Sequence, residues 1–392
     1  MMHRVLRSMA LAAAIIGSQA VCALGSEGSV HEDMQGKKWY PLTGHGHQIF
    51  PSTILSMARS AHPLGFLAVK LFNVKAGDKV RVEVRGDAFI EPSVTKTTIK
   101  KDASEYLFPQ AVRWKMEVLQ GIHQETPARF TTKVSINGED WGEKTDTATM
   151  HSVNDCLFAM RGAAGEWMPL FGNFGAYVNE ESPKLDGLLK DALAAGVVEH
   201  FDGYQSGNPR QVVRQVMAIW EALRQRGIRY SSTTDISVKS PEVWAQHVRF
   251  ASESIENGQA NCVDGSVAIA SALQKIGIDT GLVMTQDHMF VLIFTQPGEQ
   301  GPVALETTLM GVEDYPKLTG QALAWAEKCV GKDAAGGNFA AALCVGTAQL
   351  VKMNEVMKEQ ASQAHPRFVA AIMKVSDMRK HDILPVPEAQ GK

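Results

Sequence analysis

"NGQANCVDGSVAIASALQKIGIDTGLVMTQDHMFVLI", residues 257–293, contains the change of periodicity that decides the fold. Asn261 is of the type that caps a helix and Gly277 of the type that ends one, so the spacing predicts a helix beginning at Cys262. Positions 269, 273 and 276 fall on the face of residue 262, and they are Ile269, Leu273 and Ile276, which places Cys262 at the end of a buried stripe. Beyond Gly277, "TGLVMTQDHMFVLIFT" (280–295) reads as strand, turn at Gln286-Asp287, strand. "PVALETTL" (302–309) reads as a further strand after the Gly301-Pro302 break, so the helix feeds a small antiparallel sheet and this part of the chain is α+β.

Working outward, 392 residues with 45% apolar content exceed one compact core, and two or three domains are expected. The net charge of −3, without a basic block, leaves no electrostatic footprint for nucleic acid. At the start, "MMHRVLRSMALAAAIIGSQAVCALGS" has Arg4 and Arg7, an apolar run from Met9, and a small-residue cleavage pattern at Val21-Cys22-Ala23. We read residues 1–23 as a secretory signal, because about 15 apolar residues fall short of the roughly 20 that span a bilayer. Val21 argues against lipid attachment at Cys22. No later stretch is long and apolar enough to span, so the mature chain is expected to be periplasmic or secreted, with no membrane span.

Residues 24–66 form an N-terminal segment. From 67 to 153 the apolar residues alternate: Val80, Val82 and Val84 interleave with Arg81, Glu83 and Arg85, and Val112, Trp114, Met116 and Val118 repeat the pattern. With a tight turn at Asn137-Gly138, this predicts a β-sandwich domain. A helical connector follows over 154–204, with Ser182-Pro183 opening a helix that Gly196 closes. Asn208-Pro209 opens the next, striped by Val212, Val216, Ile219, Trp220 and Leu223. After the α+β segment of 205–312, Ala-rich stretches predict a helical C-terminal extension over 313–392.

A cysteine in this position is most often a small buried hydrophobe. Three features oppose that reading for Cys262. A thiol in the first helical turn lies beside unpaired N–H groups and the positive end of the helix dipole. His288 begins an apolar strand, and Glu306 sits in an apolar stretch where a lone carboxylate would be costly to bury. Bringing the three together removes both difficulties and creates a nucleophile, a base and an orienting acid. The Cys262 N–H and the side chains of Gln259 and Asn261 are candidate oxyanion donors. Neither CxxC nor HExxH occurs, so no metal and no cofactor is expected; His45 and His47 in "TGHGHQ" are read as an exposed loop. The remaining thiols are Cys156, Cys329 and Cys344. Cys329 and Cys344 flank the "GKDAAGG" turn and are the candidate disulfide.

"NCVDGSVAIASALQKIGIDTGLVMTQDHMFVLI" followed by "ALETT", with "VRQVMAIWEALRQRGIRYSS" upstream, resembles the transglutaminase-like cysteine protease superfamily over roughly residues 205–312. The resemblance implies a papain-like α+β domain in which Cys262 is the nucleophile, His288 the base and Glu306 the orienting acid. Glu306 stands where the family more often has Asp, and Asp287 where it has a small residue. It further implies cleavage or transfer at an amide or peptide bond of a protein or peptide substrate, a cell-wall peptide being the choice suggested by location. The alternative is a non-catalytic envelope binding or assembly module with a vestigial site.

Overall fold

The computed structural model describes residues 38–57, 66–162, 165–232, 236–361 and 370–388. The expected signal over residues 1–23 lies outside the described residues. The chain is α+β, with helices and several sheets, and it divides into two compact units.

One unit spans the described parts of Leu11–Asn173 and Ile236–His247. Strands β1 (Trp39–Thr43), β2 (Leu67–Val74), β3 (Lys79–Gly86), β4 (Ser93–Thr98), β5 (Ala103–Pro109), β6 (Thr126–Ile136) and β7 (Glu139–Met150) build its first two sheets. Their orders are β1-β2-β5 and, starting from the two-residue strand Gln48–Ile49, β7-β6-β3-β4. The alternation in β3 is the cause: Val80, Val82 and Val84 are buried and face Ile136, Val134 and Thr132 of β6. Asn137 and Gly138 join β6 to β7 with positive φ at both positions (53° and 85°), the turn whose twist matches that of the flanking strands.

Two expectations need correction here. Trp114 and Met116 do not lie on one strand, because Met116–Gln120 is a short helix, α2, after α1 (Pro51–Ser56). Trp114 and Val118 are also four residues apart, so that pattern fits a helical turn as well as a strand. The connector after residue 153 starts with strand, β8 (Asp155–Arg161) and β9 (Trp167–Pro169). These join β10 (Ile236–Lys239) and β11 (Val243–His247) in a sheet of order β9-β8-β11-β10. Residues 155–160 of β8 are all buried, so the strand carries no alternating signal.

The other unit spans the described parts of Phe174–Asp235 and Val248–Lys392. Helix α3 (Leu185–Ala194) begins two residues later than Ser182-Pro183 suggested, and the Ser182 hydroxyl donates to Glu388. Helix α4 (Pro209–Gln225) begins where expected: Asn208 accepts from Arg210 N–H, Pro209 opens the first turn, and the Val212 to Leu223 stripe is buried. Fully buried Gln215 holds the preceding loop by accepting from Asp202 and Gly203 N–H and donating to the Asp202 side chain and the Gly203 carbonyl.

After α5 (Ala251–Asn257) come α6 (Cys262–Lys275) and an antiparallel sheet of β12 (Thr280–Met284), β13 (Met289–Gln296) and β14 (Gln300–Leu305). The C-terminal stretch is not purely helical. Between α7 (Gly320–Val330), α8 (Asn338–Ala361) and α9 (Val375–Lys380) it contributes β15 (Ala371–Lys374), which pairs with β12, and the sheet order is β14-β13-β12-β15. Four residues are too few for a period-two signature. Phe290, Leu292 and Phe294 of β13 pack with Leu350, Met353 and Met357 of α8. Every residue of α6 from Val263 to Leu273 is buried, so the stripe read from its sequence is only part of a helix enclosed on all sides.

Candidate active site

The site begins with the way α6 starts. Asn261 is extended (φ −84°, ψ −172°) and its side-chain oxygen accepts from Val263 and Asp264 N–H at 2.8 and 2.9 Å. Asp264 reaches back to accept from Asn261 N–H at 3.2 Å, closing a capping box around Cys262. Asp264 is fully buried and also accepts from Arg249, through the backbone N–H at 2.8 Å and Nη1 at 2.9 Å. Burial pushes its carboxyl up despite these donors. The Cys262 carbonyl accepts from the hydroxyls of Ser266 (2.6 Å) and Thr307 (3.3 Å), which ties this turn to the segment after β14.

His288 closes the turn between β12 and β13, its carbonyl accepting from the Thr285 N–H at 2.8 Å and hydroxyl at 3.2 Å. Its ring Nε2 donates to Glu306 Oε2 at 2.7 Å, and its side chain also hydrogen-bonds that of Cys262. Burial works against charge on this ring, but the bonds to Cys262 and Glu306 and their negative charges outweigh it and carry the His288 pKa up to about 10. The imidazole is therefore protonated at neutral pH.

Glu306 does not lie within a strand as its sequence context suggested. β14 ends at Leu305, and Glu306 caps a 3₁₀ turn over Thr307–Leu309. It is 3% exposed. Its Oε1 accepts from Thr308 N–H (3.0 Å) and hydroxyl (2.7 Å), leaving Oε2 to His288. Burial raises the cost of its charge, and the donors on both oxygens overcome this and hold the carboxyl below its usual range.

The fold thus brings Cys262, His288 and Glu306 together in series across residues 44 apart in sequence. Asn261, weighed as an oxyanion donor, has its amide oxygen committed to capping α6, and Gln259 is exposed on the strand Gln259–Ala260. Cys329 and Cys344 are free thiols, and Cys344 Sγ donates to the Ala322 carbonyl at 3.7 Å. Burial raises the pKa of both, Cys344 to about 11, and puts that of fully buried Cys156 well above the ordinary thiol range. His45 is buried, in contrast to the exposed loop expected there, while His47 is exposed beside Asp146 at 3.4 Å. Among the described residues no group of three or more His, Cys, Asp or Glu could hold a metal ion. Also among them, no helix is long and apolar enough to cross a membrane.

Sequence reasoning missed Asp264, Arg249, Thr307 and Thr308. Asp264 was detectable, because Asn261-x-x-Asp264 has capping-box spacing. The others had no signal, since their partners are distant or side-chain specific. No family model and no curated protein matches this chain.

Proposed function

We propose that this chain is an exported, cysteine-dependent hydrolase or acyltransferase acting on amide or peptide bonds, a member of the transglutaminase-like cysteine protease superfamily with a Cys262-His288-Glu306 triad. The observation that carries this reading is the series of bonds from the Cys262 thiol through the His288 ring to the buried Glu306 carboxylate. In this reading the sheets of the N-terminal unit include the β-sandwich, the Cys-led helix with β12, β13 and β14 is the papain-like core, and the chain works in the periplasm or outside the cell on a protein or peptide.

The chemistry follows from the proton inventory. Cys262 Sγ, as the thiolate paired with the His288 imidazolium, attacks the acyl carbon, and the carbonyl electron pair moves onto oxygen, where the Cys262 N–H is a candidate donor. His288, held protonated by Glu306, gives its proton to the leaving nitrogen as the C–N bond breaks and a thioester forms. Water, or an acceptor amine, then attacks the thioester while His288 takes its proton. The C–S bond breaks, and the Cys262 thiolate and the His288 imidazolium are restored. Glu306 orients the ring and stabilises its charge throughout, and does not itself take the proton.

The test uses iodoacetamide at neutral pH with mass mapping of the labelled thiols. Cys262 should label first, because burial holds back Cys156, Cys329 and Cys344, and His288→Ala should slow that labelling. A panel of amide and peptide donors with amine acceptors then follows, with Cys262→Ala as the blank. An inert Cys262, a labelling rate unchanged by His288→Ala, or no turnover across the panel would overturn the reading.

A further inference from the structure

Among the described residues β14 is the edge of its sheet, so the outward backbone groups of Ala304 and Glu306 find no neighbouring strand there. Helix α8 supplies their partners. The Glu306 N–H donates to the Ala342 carbonyl at 3.1 Å. The Thr347 hydroxyl accepts from Ala304 N–H at 3.1 Å and donates to the Ala304 carbonyl at 3.2 Å, taking the place of a paired residue. Between these contacts lies Gly346, where a Cβ would stand 2.6 Å from the Ala304 carbonyl oxygen and 2.7 Å from the Glu306 nitrogen. Glycine is among the least favourable residues for the middle of a 24-residue helix. Its presence here allows the helix backbone to meet the strand edge directly.

We propose that Gly346 and Thr347 are positioning residues that set the place of Glu306, so that α8 is a working part of the triad as well as the cover of the sheet. The proposal rests on reading Glu306 as the acid that orients His288. The Glu306 backbone is fixed by α8, its Oε1 by Thr308, and only then does Oε2 meet the His288 ring at 2.7 Å. A shift of a few tenths of an ångström between α8 and β14 is passed to that bond, because the carboxylate is buried and has no slack elsewhere.

The experiment follows the His288 ring by NMR titration in the full chain, together with thermal melting, for Gly346→Ala, Thr347→Val, Thr347→Ser, Glu306→Gln and, as a control on α8, Val351→Ala, where the native side chain is 53% exposed. Gly346→Ala should lower the His288 midpoint from about 10 by about one pH unit or more, a tenfold loss of proton affinity. Thr347→Val should lower it in the same direction, Thr347→Ser should restore it, and Val351→Ala should leave it unchanged. If Gly346→Ala fails to fold, the Thr347 pair decides alone. Unmoved His288 midpoints in Gly346→Ala and Thr347→Val, with Glu306→Gln lowering it, would overturn the positioning role and leave the triad intact. An unmoved midpoint in Glu306→Gln would overturn the reading of Glu306 itself.

Discussion

Breaking the buried pair between Asp264 and Arg249 should cost far more than the pair contributes as a whole. Asp264→Ala removes a fully buried carboxylate that accepts three hydrogen bonds, and takes its counter-charge from a guanidinium whose side chain is 14% exposed and an acceptor from two backbone N–H groups. A guanidinium cannot shed its proton, so the expected loss is about 3–5 kcal/mol at any working pH. In a unit of about 200 residues that is a drop in Tm on the order of 10 °C. Arg249→Met leaves the opposite half, a carboxyl already pushed up by burial, which can escape its predicament by binding a proton. A raised carboxyl destabilises above its unfolded value of 3.8 and recovers stability as the pH falls toward that value. The cost of Arg249→Met should therefore shrink by up to about 1.4 kcal/mol per pH unit on acidification, while that of Asp264→Ala, which has no carboxyl left to protonate, should not shrink. The assay is urea unfolding of wild type, both single variants and the double variant between pH 5 and 8. The double variant should cost less than the sum of the singles. Because Asp264 also holds the turn that presents Cys262, alkylation of that thiol should slow in Asp264→Ala under conditions where the protein remains folded. A cost below about 1 kcal/mol for Asp264→Ala, or a strictly additive cycle, would refute the argument.

The remaining predictions concern the triad, the loop before α4 and the C-terminal thiols. His288 is raised from 6.5 to about 10, so its contribution to stability is complete below 6.5 and is lost as the pH rises to about 10; wild type should lose stability along that alkaline arm, as measured by urea unfolding, and His288→Gln should lose less. Glu306 is held below 4.5, so its contribution is present above that value and disappears as acid protonates it, an effect Glu306→Gln should remove. On any substrate found, Glu306→Gln should reduce turnover by about 100-fold or more in protein that is still folded, a loss that its lowered stability does not account for; turnover that falls only in step with the folded fraction would mark the residue as structural. Gln215→Leu leaves Asp202 and Gly203 without partners for two donors and two acceptors, and should cost about 2–4 kcal/mol in the same unfolding assay. Non-reducing peptide mapping should find Cys329 and Cys344 as free thiols, and a linked Cys329–Cys344 peptide would contradict the structure.

Local chemistry was legible wherever one residue type has one strong local preference. Asn208-Pro209 and Asn261 start their helices as their side chains dictate, Asn137-Gly138 turns where only such residues accept positive φ, and β3 alternates because one of its faces is buried. The identity of Cys262, His288 and Glu306 as an unusual set was legible too, because an isolated imidazole and carboxylate in apolar surroundings call for partners. β8 and β15 were not legible: one is buried on both faces and the other is four residues long, so neither carries a period. Tertiary structure alone decided that His288 meets Glu306 through Nε2, that Thr308 takes the other carboxylate oxygen, and that α8 grips the strand end from 40 residues away. Hydrogen bonds and steric contacts between distant segments depend on where the backbone has already been placed, and periodicity along the chain records only which side of each element is buried.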